Sequence, residues 1–182
     1  MTKVLVAYAT RMGSTAEIAE VVGRVLRASG LRVTVRPCEE VDTVDDYDAV
    51  VLGSAMYVQH WLHDAVDFLR RHGKQLGARP TWLFQSGPCG ADAAHRDVAT
   101  PRQVVRLVGR FGLRRPITFG GRLDPDLAPD RVSRWMARGN LAGDFRDWDA
   151  IEAWAQWCAR SIVSASPRGL SPELAAAIGD QT

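Results

Sequence analysis

Val4-Leu5-Val6-Ala7-Tyr8-Ala9, running directly into Thr10-Arg11-Met12-Gly13-Ser14-Thr15, is the stretch whose reading decides the fold. The apolar run lacks the alternation of a half-exposed strand and suits a central parallel strand covered on both faces. From Ile18 the period changes, and Ile18, Ala19, Val22, Val25 and Leu26 fall on one face of a 3.6-residue helix. The turn between them is rich in hydroxyls and holds one glycine, so it can offer backbone N–H and side-chain O–H groups to one small anion. The helix that follows adds unpaired N–H groups and a positive dipole end, worth up to about 2 kcal/mol to a bound anion. The stretch therefore reads as strand, phosphate loop and helix N-terminus. It reads equally as an ordinary strand-to-helix connection capped by Ser or Thr. Neither the Gly-Lys-Ser/Thr of a Walker loop nor a Gly-x-Gly-x-x-Gly dinucleotide fingerprint is present, so the rest of the chain must decide.

Further along, Ser29-Gly30 supplies a left-handed stop, and Leu31 to Arg36 alternates apolar residues with Arg32, Thr34 and Arg36, as an edge strand does. Ala49-Val50-Val51-Leu52-Gly53 is a second fully apolar run and a second central strand. It opens into Gly53-Ser54-Ala55-Met56-Tyr57, and Leu62, Ala65, Val66 and Leu69 carry a helix to about His72-Gly73. Thr81-Trp82-Leu83-Phe84-Gln85 is the next interior strand, opening into Ser86-Gly87-Pro88-Cys89-Gly90. Thr100-Pro101-Arg102-Gln103 has the form of a capping box with proline at the first helical position, leading a helix through Val104, Val105 and Val108. Ile117-Thr118-Phe119-Gly120 is a fifth strand, and Asp147-Trp148-Asp149 opens a last helix through Ile151, Ala155, Cys158 and Ile162.

Five strands alternating with helices predict an α/β, doubly wound five-stranded parallel sheet. With right-handed crossovers the natural strand order is 2-1-3-4-5, and a ligand crevice lies beyond the carboxyl ends of the strands. Three loops leave those ends, at residues 10–15, 53–61 and 86–95, and converge on that crevice. This convergence favours the phosphate-loop reading over a plain connection. A receiver domain shares the topology but needs acidic residues after the first and third strands, where this chain has Thr10 and Gly53.

Length and composition set the remaining bounds. At 182 residues the chain fits one domain over residues 1–165, with residues 166–182 as a Pro- and Ser-broken surface tail. A net charge of +2 implies neither nucleic acid nor an acidic polymer as partner. The start Met-Thr-Lys leads straight into the first strand, leaving no room for a signal peptide. No apolar stretch approaches the roughly 20 residues of a membrane span. A cytoplasmic protein is expected. Cys38, Cys89 and Cys158 are widely spaced without a Cys-x-x-Cys, and His60 and His63 stand a helical turn apart without further ligands, so neither a disulfide framework nor a metal site is expected.

Four stretches together carry a wider resemblance. Ala9 to Thr15, Leu52-Gly53-Ser54-Ala55-Met56 with His60-Trp61, Phe84-Gln85-Ser86-Gly87-Pro88, and Gly143-Asp144-Phe145-Arg146-Asp147-Trp148 resemble the flavodoxin-domain proteins related to menaquinone-dependent protoporphyrinogen dehydrogenase. The resemblance covers about residues 3 to 165. It implies a flavodoxin-like fold and FMN as cofactor, with Thr10, Arg11, Met12, Gly13, Ser14 and Thr15 on the phosphate. It places Ala55, Met56, Tyr57, Ser86, Gly87, Pro88, Cys89 and Gly90 around the isoalloxazine ring. The residue types suit that assignment, because Met56, Tyr57 and Trp61 can cover an aromatic face while Gly87 and Gly90 let backbone approach its polar edge. Tyr57 reads also as a cover for the sheet edge, Trp61 as core, Cys89 as a small filler and Arg11 as a solvent-facing side chain.

In a flavin oxidoreductase the cofactor carries the electrons, so the missing catalytic triad does not argue against an enzyme, and no catalytic side chain is assigned. The long excursion over residues 122–146, with Trp135 and Met136 adjacent in a basic turn, suits a lid, a seat for an aromatic substrate, a peripheral membrane contact, or simply a docked surface helix. It is shorter and more charged than in the protoporphyrinogen-dehydrogenase relatives. Three functions follow: an FMN oxidoreductase using a small electron donor or acceptor such as a porphyrinogen or a quinone; a flavodoxin carrier passing single electrons between proteins; or a cofactor-free interaction domain. Carriers are usually strongly acidic, so the slightly basic balance favours the enzyme.

Overall fold

The computed structural model describes residues 1–87, 89, 98–123 and 142–165. Its elements run β1 (Lys3–Ala9), α1 (Ser14–Ala28), β2 (Arg32–Pro37), β3 (Ala49–Tyr57), β4 (His60–Trp61), α2 (His63–Gly77), β5 (Thr81–Ser86), α3 (Arg102–Phe111), β6 (Ile117–Phe119), β7 (Arg122–Leu123), β8 (Gly143–Asp144) and α4 (Trp148–Ala165). Strands β2-β1-β3-β5-β6 pair in parallel in that order, which is the expected 2-1-3-4-5 once the short β4 is set aside as an antiparallel extension of β3.

The unbroken apolar runs follow from burial on both faces. Leu5 and Ala7 of β1 and Val50 and Leu52 of β3 face a layer built by Ala65, Phe68 and Leu69 of α2 with Val104 and Val108 of α3. Val4, Val6 and Val51 face the opposite layer, where Ile18, Val22 and Leu26 of α1 meet Ile151, Ala155 and Cys158 of α4. Alternate residues of one strand thus enter two separate cores, which is why both β1 and the start of β3 are apolar on both faces. The edge strand β2 is only partly covered, with Arg32 and Arg36 exposed and Val33, Thr34 and Val35 half-buried.

Three local expectations change. Gly53 to Tyr57 is strand rather than loop, because β1 and β5 hydrogen-bond this segment from both sides through Ser54 and Ala55. Helix α2 continues past His72-Gly73 to Gly77, since Gly73 and Gly77 serve close approach and not termination: a Cβ at either would strike Phe111 at 2.2 or 2.3 Å. The Thr100 capping box does not form. Pro101 itself stands at the N-cap in an extended conformation without a side-chain cap, and Gln103 reaches the Trp61 carbonyl instead. The left-handed stop at Gly30 is present, with φ of 83°.

Candidate functional site

Strand β1 ends at Ala9, and residues 10–13 turn the chain into α1, so Ser14 and Thr15 are the first residues of the helix and not part of the loop. Gly13 stands at the N-cap with φ of 82°, a conformation most side chains avoid, and a Cβ there would meet nothing within 4 Å. Its N–H donates to Thr10 Oγ1 at 3.1 Å, which closes the turn on itself. Among the described residues no side chain caps α1, which leaves its opening N–H groups directed beyond the carboxyl end of β1. Thr15 is fully buried, and its hydroxyl shares a 2.7 Å hydrogen bond with the buried Ser86 hydroxyl at the end of β5. The first and third of the predicted loops are therefore joined through their floor.

The second predicted segment is a hairpin. Met56 and Tyr57 close β3, and Val58 and Gln59 form a two-residue turn with φ of 45° and 58° before β4 returns. A β-branched residue at positive φ is strained, and Val58 is also 78% exposed. The Ser54 hydroxyl accepts from Leu62 N at 3.1 Å and steadies the base of the hairpin. Arg11 lies over the Tyr57 ring at 5.4 Å, so loop 10–13 and the end of β3 meet. Trp61, a candidate ring contact, is buried instead. Its Nε1 donates to Gln85 Oε1 at 2.9 Å, and Gln85 Nε2 donates to Thr118 Oγ1 at 2.9 Å. This buried polar chain ties β4, β5 and β6 together beneath the loops. In sequence Gln85 reads as the end of an apolar strand, and its amide, amid apolar neighbours, is the only signal of a buried polar role.

Beyond β5, Gly87 has φ of 108°, donates its N–H to the Phe119 carbonyl at 3.1 Å, and has room for a Cβ only at 3.3 Å from the Met56 carbonyl. Cys89 is half-buried beside Gly121, and burial with the nearby Asp144 charge pushes its thiol up to about 11. It is a neutral thiol at pH 7 rather than a thiolate nucleophile. Pro88 and Gly90 lie outside the described residues, as do Trp135 and Met136 of the excursion and residues 166–182 of the expected tail. The excursion leaves the sheet through β7 and returns through β8, paired antiparallel.

Arg146 on the returning segment is the second residue whose role the sequence did not disclose. Its side chain is 2% exposed and binds Asp144 in a fork, Nε to Oδ1 at 2.7 Å and Nη2 to Oδ2 at 2.5 Å. Nη1 reaches Glu17 Oε2 at 2.8 Å and the Ser14 carbonyl at 3.4 Å, and the guanidinium lies 4.4 Å from the Trp148 ring. Burial alone would lower its pKa, but the hydrogen bonds it donates to Asp144 and Glu17 outweigh that and hold it cationic. The same guanidinium keeps Asp144 below the usual carboxylate range.

Comparison with known proteins matches this arrangement. A family model described as "Flavodoxin domain" matches residues 5–125. Protoporphyrinogen IX dehydrogenase [quinone] of Escherichia coli K12 is 27% identical over 84 residues, which covers 45% of this chain and 46% of that protein, so under half of its length is matched. Among solved structures, a flavodoxin of Streptococcus pneumoniae TIGR4 superposes with a TM-score of 0.61 at 19% identity over 88% of this chain and 99% of its own. Rubredoxin oxygen:oxidoreductase of Desulfovibrio gigas superposes with a TM-score of 0.60 at 18% identity, covering 91% of this chain and 38% of that one. At such identities the superpositions speak to the fold.

The residues at the strand ends fit FMN. An uncapped helix N-terminus behind a glycine with open space above it suits a phosphate, and the tight backbone at Gly87 opposite Met56 and Tyr57 suits the edge and face of a flavin ring. With the 2-1-3-4-5 sheet, three segments meeting at its carboxyl edge, and a family match over residues 5–125, the chain belongs to the flavodoxin domain family, with FMN as its cofactor.

Proposed function

We propose that this chain is an FMN-dependent oxidoreductase of the protoporphyrinogen-dehydrogenase or quinone-reducing kind. The observation that carries this reading is the likeness to the Escherichia coli dehydrogenase, which falls on a chain of slightly basic charge. FMN, when bound, supplies the electron-transfer chemistry, so the protein's tasks are to hold, orient and shield it. In this reading Thr10, Arg11, Met12, Gly13, Ser14 and Thr15 hold the phosphate, chiefly through backbone N–H groups of the loop and of α1. Ser14 and the loop backbone make contact, and Thr15, committed to Ser86, fixes the floor. Ala55, Met56 and Tyr57 cover one side of the ring, while Ser86 to Gly90 bring backbone to its edge. The exposed Val58 at the hairpin tip offers an apolar surface beside Tyr57 to an incoming aromatic donor or acceptor.

The test has two stages. Apoprotein titrated with FMN and with riboflavin should prefer FMN, and Ser14→Ala should weaken FMN more than riboflavin; equal losses would remove the phosphate assignment. The loaded protein should then oxidise protoporphyrinogen in the presence of a menaquinone analogue under anaerobic conditions. A carrier reading is supported by the end-to-end superposition on a flavodoxin. It would be preferred if the loaded protein bound FMN but reduced no quinone, oxidised no porphyrinogen, and exchanged electrons only with redox proteins.

A further inference from the structure

The phosphate loop carries a charge that works against its ligand. Glu17 lies in the first turn of α1, one turn from the N-cap, with its backbone N–H on the Gly13 carbonyl at 3.0 Å. A carboxylate there is favoured by the helix dipole, yet it stands beside the position where the preceding section puts a dianion. Two cations answer it: Arg122 Nη1 on Oε1 at 3.1 Å, from β7, and Arg146 Nη1 on Oε2 at 2.8 Å, from the segment after β8. Arg122 is partly exposed, whereas the Arg146 side chain is buried at 2% exposure and also touches the Ser14 carbonyl. Of the two, only Arg146 is withdrawn from solvent, so its charge is the less screened by salt and Arg146 is the partner with the greater leverage.

The Arg146 geometry leaves no room for an adventitious role. Gly120 and Gly121 let the returning chain lie against them, since a Cβ on Gly120 would sit 1.9 Å from the Phe145 carbonyl and Phe145 N–H donates to the Gly121 carbonyl at 3.0 Å. Asp144 then fixes the guanidinium in a fork and Trp148 covers it. With every direction occupied, Arg146 acts on the loop through Glu17 and Ser14.

We propose that Arg146 is a positioning residue for the phosphate loop: by neutralising Glu17 and holding the Ser14 carbonyl, it gives the loop its preference for a dianionic phosphate over an uncharged group. The proposal rests on the reading that this loop takes the FMN phosphate. It links the long excursion to cofactor choice, since the residue that completes the loop's electrostatics arrives only when the chain has returned from residues 124–141.

The test is titration of apoprotein with FMN and riboflavin, followed by flavin fluorescence, with melting temperature recorded for each variant. Arg146→Gln should lower FMN affinity about tenfold and riboflavin affinity less than about threefold, as expected for loss of one partly buried charge interaction. Raising salt should recover part of the FMN loss by screening the exposed Glu17. Glu17→Gln added to Arg146→Gln should restore most of the FMN preference. Arg146→Lys keeps the charge but not the fork, so it should lower the melting temperature while retaining the preference. Equal losses of both flavins in Arg146→Gln, or failure of Glu17→Gln to rescue, would overturn the proposal in favour of a merely structural latch. Should Arg146→Gln fail to fold, Glu17→Gln alone decides: a rise in the FMN-to-riboflavin ratio supports the proposal, and an unchanged or lower ratio overturns it. If the unaltered protein binds both flavins equally, the phosphate reading itself fails, which is a different result.

Discussion

Gly53 shows how much a single missing atom can decide. A Cβ at this position would lie 2.0 to 2.6 Å from the Phe84 ring, which is fully buried, tilted against Phe119 at 5.9 Å and edge-on to Trp154 at 5.8 Å. The glycine is there to let an aromatic ring cross the sheet face, not to make a turn. Gly53→Ala should therefore destabilise the fold by about 1–3 kcal/mol through overpacking. Urea unfolding measures it, and an unchanged midpoint would mean that the ring relocates without cost. The same residue shows why the strand end is hidden in sequence: Gly53-Ser54-Ala55 has the look of a loop, because small residues mark turns when only neighbours in the chain are visible.

At the scale of elements, one side chain ties the late part of the connection from β2 to β3 to the end of α2. Arg79, just past α2, donates Nε to the Gln75 carbonyl at 2.9 Å and Nη1 to the Tyr47 carbonyl at 2.7 Å, reaches the Val44 carbonyl, and stands 3.5 Å from Asp45. Its fork thus fastens residues 44–47 to the end of α2. Arg79→Ala should cost about 2 kcal/mol, the scale of charge-assisted hydrogen bonds left unmade. Arg79→Lys should recover less than half of that, since an ammonium cannot span three carbonyls. Hydrogen exchange offers a local reading: the Tyr47 amide, bonded to the Val44 carbonyl at 3.1 Å, should lose protection in both variants. Protection equal to that of the unaltered protein would show that the connection holds without the arginine.

For the molecule as a whole, pH dependence follows from two groups, His72 in α2 and Asp144 in β8. His72 is 6% exposed and tilted against Phe68 at 4.8 Å, and its Nε2 has no hydrogen-bond partner among the described residues. Burial, then the Arg71 charge, lower its pKa, against weaker upward pulls from the Val41 backbone and Asp45. The unfolded chain therefore binds a proton at higher pH than the native one does. The stability contributed by neutral His72 is complete above the unfolded value of about 6.5 and is lost as pH falls toward the native value. Asp144 adds a second loss at lower pH, because its pKa is depressed chiefly by the Arg146 hydrogen bond, and its contribution disappears as the carboxylate is protonated. Melting temperature should fall between pH 7 and 5.5, and His72→Gln should flatten that slope. An identical slope in the variant would place the titration elsewhere. No helix among the described residues is long and apolar enough to cross a membrane.

What the sequence determined by itself is the part of this protein set by local periodicity. Apolar runs at 4–9 and 49–52, a change to helical spacing at Ile18, and glycines beyond Ala9 and Ser29 were enough for the doubly wound order and for the placing of the strand-end loops. Tertiary structure alone decided which polar residues meet. Thr15 and Ser86 stand 71 positions apart and share one buried hydrogen bond, while Arg146 is 129 positions from the Glu17 it neutralises. Trp61, readable as a ring contact or as core, and Gln85, readable only as the end of an apolar strand, form one buried hydrogen-bonded pair. Periodicity records which face of an element is apolar, because burial is paid residue by residue along the chain. A hydrogen bond or ion pair between distant segments leaves no such period, so its partners become visible only when the sheet brings their elements together.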